Sequence, residues 1–295
     1  MTREEQLPSS AQSSRITPRL VSRVWGGERL TALGSSAATT PPIGEAWFGE
    51  IGSQNLPLVK LLDVTDRLSV QVHPTDALAA ELHGAGSIGK REAWVILDAA
   101  PGAHLLLGRD PAVSADQLQR ALESGSDVAP LLAKISVMAG DVLDVPPGTL
   151  HALMPGLLVW EVQQPSDRTY RVSDWGRSSS ERPLHHAEAL RAVNAAAIAQ
   201  RVARLDWEAP GTRTLIGNDA FTVTVVVGPW SEPLLLPHGA IATLVSSPSM
   251  SGAVSGAAGR VAGLALQPLQ SALMTAGLAA IEIPHGSALL FASRP

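Results

Sequence analysis

The chain has 295 residues, 45% hydrophobic and 17% charged, with 26 glycines, 22 prolines and no cysteine. That composition suits a globular, turn-rich β protein and excludes a disulfide scaffold, thiolate catalysis and cysteine-held zinc. A formal net charge of -5 with no block of like charges leaves no footprint for nucleic acid. No apolar run reaches the roughly 18 residues of a membrane span, and Met1 to Ser14 lacks the apolar segment of a signal peptide. The expectation is a cytoplasmic protein whose partner is a small molecule, with no nucleic-acid or membrane partner and with its oligomeric state open.

Residues 1–14 are polar and read as a disordered tail. Trp25-Gly26-Gly27 and Ile43 to Gly52 are loop-like, and Trp25 and Trp47 suit either the core or the floor of a pocket. From Leu56 to Asp63 an apolar run reads as a buried strand interrupted by Lys60. Only Lys60, Lys90 and Lys134 are lysines among the 22 basic residues, so a lysine here stands out in a chain that elsewhere uses arginine. It either snorkels to solvent or aims a point charge at a phosphate.

Leu68, Val70 and Val72 fall on one face of the next strand, and Ser69, Gln71 and His73 on the other. An amide oxygen and an imidazole on one face can hold a cation if a facing sheet supplies a carboxylate and a second imidazole. Pro74-Thr75-Asp76 starts a helical turn, and Gly84 to Gly89 form a glycine-rich loop of the kind that closes over ligands. A second strand, Glu92 to Asp98, opens with a carboxylate.

Ser114-Ala115-Asp116-Gln117 has the form of a capping box. With the apolar stripe Leu118, Ala121 and Leu122 and the stop at Gly125, it predicts a helix inside a helical insert spanning residues 112–134. Strands resume at Ile135, and turns at Pro146-Pro147-Gly148 and Pro155-Gly156 divide Val142 to Val162 into three short segments. Alanine-rich Leu184 to Leu205, with Leu190, Val193, Ile198 and Val202 near helical spacing, predicts a helix between two halves. Strands then return over Phe221 to Val227, Ala240 to Val245, Leu278 to Ile283 and Ala288 to Ala292, while residues 246–277 show no readable strand pattern.

Gly140, Pro146, Gly148 and His151 match the second cupin motif through its histidine, where a tight turn swings the imidazole onto a barrel wall. Pro155 stands where generic cupins carry asparagine, Gln71 replaces the first histidine, and Glu92 follows His73 at nineteen residues, farther than in most cupins. These departures resemble the type I mannose-6-phosphate isomerases in their short bacterial form. The resemblance is carried by Lys60-Leu61-Leu62-Asp63, Ser69-Val70-Gln71-Val72-His73-Pro74, Gly89-Lys90-Arg91-Glu92, Pro147-Gly148-Thr149-Leu150-His151-Ala152 and Gln164-Pro165-Ser166-Asp167-Arg168-Thr169-Tyr170-Arg171. It runs from Pro18 to the helix after Leu184 and weakens beyond.

The resemblance implies a mainly β fold of two cupin-type jelly-roll barrels with a few short helices. A catalytic cupin domain would span 15–183, a linking helix 184–205, and a degenerate metal-free barrel 206–295. It implies one Zn2+ per chain on Gln71, His73, Glu92 and His151, while His83, His104, His185, His186, His238 and His285 fall outside the pattern and read as structural. It also implies catalytic roles for Arg171, Lys90 and Glu161, and phosphate binding by Lys60, Lys90, Arg171 and Arg177.

Glu161 suits structural hydrogen bonding as well as an inward catalytic carboxylate. Either Lys90, with its pKa lowered by the adjacent zinc, or Glu161, with its pKa raised by burial, would carry the proton. The reaction implied is interconversion of mannose 6-phosphate and fructose 6-phosphate through an enediol. The alternative is a non-catalytic cupin that binds metal and sugar phosphate as a sensor or regulator. A cupin dioxygenase would prefer iron with open positions, where Gln71 fits poorly.

Overall fold

The computed structural model describes residues 10–34, 42–177, 182–237, 239–248 and 256–295. In chain order the elements are β1 (Ser13–Ile16), β2 (Arg19–Gly27), β3 (Ile43–Phe48), β4 (Leu58–Val64), β5 (Val70–Val72), α1 (Asp76–His83), β6 (Glu92–Ala99), β7 (His104–Arg109) and α2 (Ala115–Ser124). They continue with β8 (Leu132–Ser136), β9 (Asp141–Val145), β10 (His151–Leu153), β11 (Leu157–Gln163), β12 (Tyr170–Ser173), α3 (His186–Ala192) and β13 (Gln200–Arg204). Two compact units divide the chain, one of residues 18–54 and 58–205, the other of 1–17, 55–57 and 206–295.

The first unit holds a five-stranded sheet, ordered β12-β5-β10-β7-β8, and a seven-stranded sheet, ordered β13-β9-β6-β11-β4-β3-β2. Period-two alternation places Leu62, Trp94, Ile96 and Val159 of the larger sheet in one apolar cluster with Leu105, Leu107 and Leu153 of the smaller; Leu68, expected on the face of Val70 and Val72, precedes β5 and joins this cluster instead. Each such fully buried side chain contributes about 1.5–3 kcal/mol relative to exposure. The opposite face of the smaller sheet, with Val70, Val72 and Ala152, packs under Leu118 and Leu122 of α2 and Ala189 of α3. Because these outward positions are covered by helices, the alternate positions of the same strands are free to carry polar groups between the sheets.

Helix α2 starts with the reciprocal Ser114 and Gln117 cap and stops at Gly125 in the left-handed region, φ 69°. The expected helix over 184–205 is helical only in α3, and its second half is the edge strand β13. Two forces override the alanine-rich helical pattern. β13 pairs with β9 through a bulge between Arg201 and Ala203, and the fully buried carboxylate of Asp141 takes Arg201 at 3.1 Å and Arg204 at 2.8 Å. Ile198 and Val202, expected on a buried stripe, are 70% and 44% exposed.

In the second unit a six-stranded sheet runs in the order β1, Ser271–Met274, Ala240–Ser246, Ser287–Ser293, Thr222–Val227, Gly211–Gly217. Val226, Leu244, Ile281, Leu289 and Phe291 lie in its core cluster. The expected tail is not free over its last residues: Ser10 bridges Leu278, and β1 pairs along Ser271–Met274, an edge that an extended polar segment can join through its backbone alone. Residues 1–9 and His238 lie outside the described residues. The expected strand Leu278–Ile283 is split into Gly277–Ala279 and Ile281–Glu282, and the unreadable stretch before it supplies Gly259–Val261 and Leu264–Leu266. No helix among the described residues is long and apolar enough to cross a membrane.

Candidate metal centre and active site

One row of side chains crosses three strands of the smaller sheet. His151 of β10 stands opposite Gln71 of β5, and Gln71 stands opposite Arg171 of β12. Directly opposed residues of antiparallel strands project to one face, so an imidazole, an amide and a guanidinium sit side by side. His73 follows two residues after Gln71 on that face, and Glu92 opens β6 on the facing sheet. The turn before His151 requires Gly148: its φ is 85°, and a Cβ there would stand 2.9 Å from the Asn194 Cβ. Gly148 N–H donates to the His73 carbonyl at 2.9 Å, tying the two histidine-bearing segments together.

His73 Nε2 lies 3.3 Å from Glu92 Oε1, and His151 Nε2 lies 3.5 Å from Glu92 Oε2. The Nδ1 atoms face backbone carbonyls, that of His73 facing Arg168 O at 2.9 Å and that of His151 facing Thr149 O at 3.0 Å. A carbonyl only accepts, so each Nδ1 carries the proton and each Nε2 turns its lone pair toward the cluster. Burial holds both imidazoles below their ordinary pKa, His151 down to about 4, and both are neutral near pH 7. Burial pushes Glu92 up, but the Lys90 ammonium and His73 outweigh it and hold the carboxyl well below its usual range.

This donor set fits a divalent ion. The ligand atoms of His73, Glu92 and His151 all lie within 4.8 Å of one another. Two donors each about 2.1 Å from a tetrahedral ion stand about 3.4 Å apart, close to the two carboxylate–imidazole separations. Lys90 Nζ pairs with Glu92 Oε1 at 2.6 Å, while the buried Oε2 has no hydrogen-bond donor among the described residues. A buried carboxylate left in that state costs free energy that a cation would recover. Gln71 joins with one change: its Nε2 lies 3.1 Å from His151 Nε2, and turning the amide over presents Oε1 instead.

A cavity of about 340 Å3 opens beside this cluster, with Gln71 and Glu92 in its lining. A second row crosses it on the larger sheet, Trp94 opposite Glu161, Glu161 opposite Lys60, and Lys60 opposite Trp47. Trp94 Nε1 donates to Glu161 Oε1 at 3.0 Å, Lys60 Nζ lies 3.2 Å from Glu161 Oε2, and Lys60 stands over the Trp47 ring at 4.7 Å. Burial and then the Glu92 charge raise the Glu161 pKa against the pull of Lys60 and Lys90. Burial pulls Lys90 down, but Glu92 and Glu161 outweigh it and hold its pKa above the usual lysine value in the metal-free chain.

Lys60, Lys90, Glu161 and Arg171 all line the cavity, as do Trp25 and Trp47. Lys60 therefore does not snorkel. Arg171 makes no ion pair among the described residues, and its buried Nε has no hydrogen-bond acceptor. Arg177 is not brought into the cavity: Asp66 at 3.1 Å and Asp174 at 3.0 Å hold it elsewhere. Arg182, with Asp174 at 2.8 Å, and Arg23, with Glu45 at 3.1 Å, line the cavity instead. Sequence reasoning missed both. Arg23 had a usable signal, since Glu45 and Trp47 alternate onto one face of β3 and Glu45 is an acceptor there for a neighbouring strand's cation. Arg182 had none that separates it from Arg177.

A family model described as phosphomannose isomerase type I, catalytic domain, matches residues 18–87. A probable mannose-6-phosphate isomerase of Bacillus subtilis is 36% identical, over 60% of this chain and 67% of that protein. The mannose-6-phosphate isomerase of Streptococcus mutans is 39% identical, over 60% of this chain and only 56% of that protein. In fold, the crystal structure of the mannose 6-phosphate isomerase from Bacillus subtilis superposes with a TM-score of 0.74 at 24% identity, covering 97% of this chain and 99% of that one. The crystal structure of a zinc-bound holo mannose 6-phosphate isomerase superposes with a TM-score of 0.67 at 14% identity, covering 96% of this chain and 100% of that one.

Proposed function

The chain belongs to the type I phosphomannose isomerase family, and on that premise we propose that it is a zinc-dependent aldose–ketose isomerase acting on mannose 6-phosphate and fructose 6-phosphate. The observation that carries this reading is the buried pair of neutral imidazoles whose Nε2 atoms stand 3.3 and 3.5 Å from the two oxygens of one carboxylate, set beside a cavity lined by several cations. Gln71, His73, Glu92 and His151 are the proposed ligands. When bound, zinc supplies Lewis-acid polarisation of the sugar's carbonyl oxygen.

The remaining chemistry falls to side chains. Isomerisation moves a proton between C2 and C1, and the barrier is the weak acidity of carbon beside a carbonyl. Glu161 is assigned as the base: its raised pKa brings it toward the working range, and its carboxylate lines the cavity. It takes the proton from one carbon and returns it to the other. Lys90, assigned as an ammonium, donates to the oxygen that gains negative charge, and Arg171 supplies a second, unpaired cation beside Gln71. Trp25, Trp47 and Trp94 wall the site and limit water's access to the proton in transit. The phosphate dianion is assigned to Lys60 with Arg23 and Arg182 nearer the mouth, where the two arginine side chains are 34% and 23% exposed.

The test is an assay of aldose and ketose 6-phosphate interconversion before and after chelation. Turnover that disappears with chelator and returns with Zn2+ supports the reading. A metal-loaded chain that binds sugar phosphate without converting it would make the protein a sensor instead.

A further inference from the structure

We propose that His185 is a positioning residue for Arg171, its imidazole standing in for the strand that β12 lacks on its outer side. The proposal rests on the role given to Arg171 above. β12 is the edge of the five-stranded sheet, with β5 as its only strand neighbour among the described residues. Arg171 N–H donates to His185 Nδ1 at 3.1 Å, and His185 N–H donates to Arg171 O at 2.8 Å. Both backbone groups of one edge residue are thus satisfied by one residue, as a neighbouring strand would satisfy them. The same segment also reaches the guanidinium: Arg171 Nη1 donates to Pro183 O at 3.0 Å.

A backbone N–H only donates, so Nδ1 is an acceptor and the His185 proton sits on Nε2. Burial and then the Arg171 charge hold the imidazole below its ordinary pKa, consistent with an unprotonated Nδ1. The obvious bland role is absent. His185 occupies the N-cap of α3, but its side chain makes no capping hydrogen bond. The ring faces Tyr170 at 6.4 Å between centroids, and the Tyr170 hydroxyl meets His83 Nε2 at 2.9 Å, so the clamp is anchored to α1. With Nδ1 removed, the Arg171 N–H loses its acceptor, and the register that sets Arg171 opposite Gln71 loses one of its holds.

The experiment compares His185→Ala with His185→Asn, whose side-chain carbonyl reaches the place of Nδ1. Arg171 acts on charge that appears only in the transition state, so its misplacement lowers kcat while leaving KM nearly unchanged. The alanine variant is expected to keep its zinc and lose ~10- to 100-fold in kcat, the scale of a small misplacement of a catalytic group. The asparagine variant is expected to recover most of that loss. In an Arg171→Ala background the alanine change should have no further effect on kcat.

Unchanged kcat in the alanine variant overturns the proposal, as does failure of asparagine to rescue or a full additional loss in the Arg171→Ala background. Should the alanine variant not fold, His185→Gln replaces it, because its carbonyl reaches the place of Nε2 rather than Nδ1. Arg171→Ala alone with wild-type turnover would instead sink the role assigned to Arg171.

Discussion

Lys60 Nζ lies 3.2 Å from Glu161 Oε2, and the two residues are direct partners on β4 and β11 with side chains only 8% and 5% exposed. A buried pair of this kind is worth little as a pair but costs much to break. Lys60→Met is therefore expected to lower unfolding stability by about 3–5 kcal/mol, because it strands the Glu161 charge. The double variant Lys60→Met with Glu161→Leu should regain most of that stability and none of the activity. Urea denaturation of both proteins checks this, and equal stability of the single and double variants would contradict it.

Glu161→Gln keeps the shape and the hydrogen bond from Trp94 while removing the proton acceptor. Loss of a general base is expected to lower kcat by about 10²–10⁴-fold. Exchange of the substrate's C2 hydrogen with deuterated solvent should fall in parallel. Unaltered exchange in the glutamine variant would move the base elsewhere.

His151→Ala removes one nitrogen donor and should abolish stoichiometric zinc, read by elemental analysis of the purified chain. In the wild-type chain, zinc at 100 times its dissociation constant is expected to raise stability by about 2.7 kcal/mol, seen as a thermal shift. The alanine variant should show no such shift. Retention of both metal and shift would remove His151 from the ligand set.

Acid should weaken the metal-free fold at three groups, the depressed imidazoles of His73 and His151 and the carboxyl of Glu92. Burial depresses His151 from about 6.5 to about 4, so between those values the unfolded chain binds a proton that the folded chain refuses. The stabilising contribution is complete above pH 6.5 and is lost progressively as the pH falls to about 4. Glu92, held well below 4.5, acts in the same direction at lower pH. The urea midpoint of chelated protein should fall across this range, and His151→Gln should flatten its upper part. A midpoint independent of pH between 6.5 and 4 would refute the linkage.

Gly148→Ala tests the turn that aims His151. Its positive φ and the 2.9 Å approach to Asn194 predict a loss of about 1–3 kcal/mol. Because Gly148 also hydrogen-bonds the His73 carbonyl, zinc affinity should fall with stability. A variant as stable as wild type, with unchanged affinity, would show that the turn relaxes freely.

The parts of the site visible in the sequence are those fixed by local geometry. Gln71 and His73 share a face because strands alternate, and Pro147-Gly148 announces a turn ahead of His151. Glu92 opens a strand but has no such local signature of a ligand, and only the Gly-Lys-x-Glu pattern singles it out. Arg177 and Arg182 both follow β12 and both pair with Asp174, so their order along the chain does not say which one faces the cavity. Asp66 decides it by drawing Arg177 away. The helix expected through Leu205 fails for a similar reason: the buried Asp141 that recruits Arg201 and Arg204 lies sixty residues upstream, beyond the reach of any periodicity.

The opposition of Gln71 and His151 has a further consequence for how the molecule matures. They are eighty positions apart, and their strands meet only when that long intervening loop has closed. Non-local pairings of this sort form late in folding. A nascent or partly unraveled polypeptide therefore keeps its imidazoles too far apart to sequester an ion, and metal capture distinguishes finished molecules from unfinished ones.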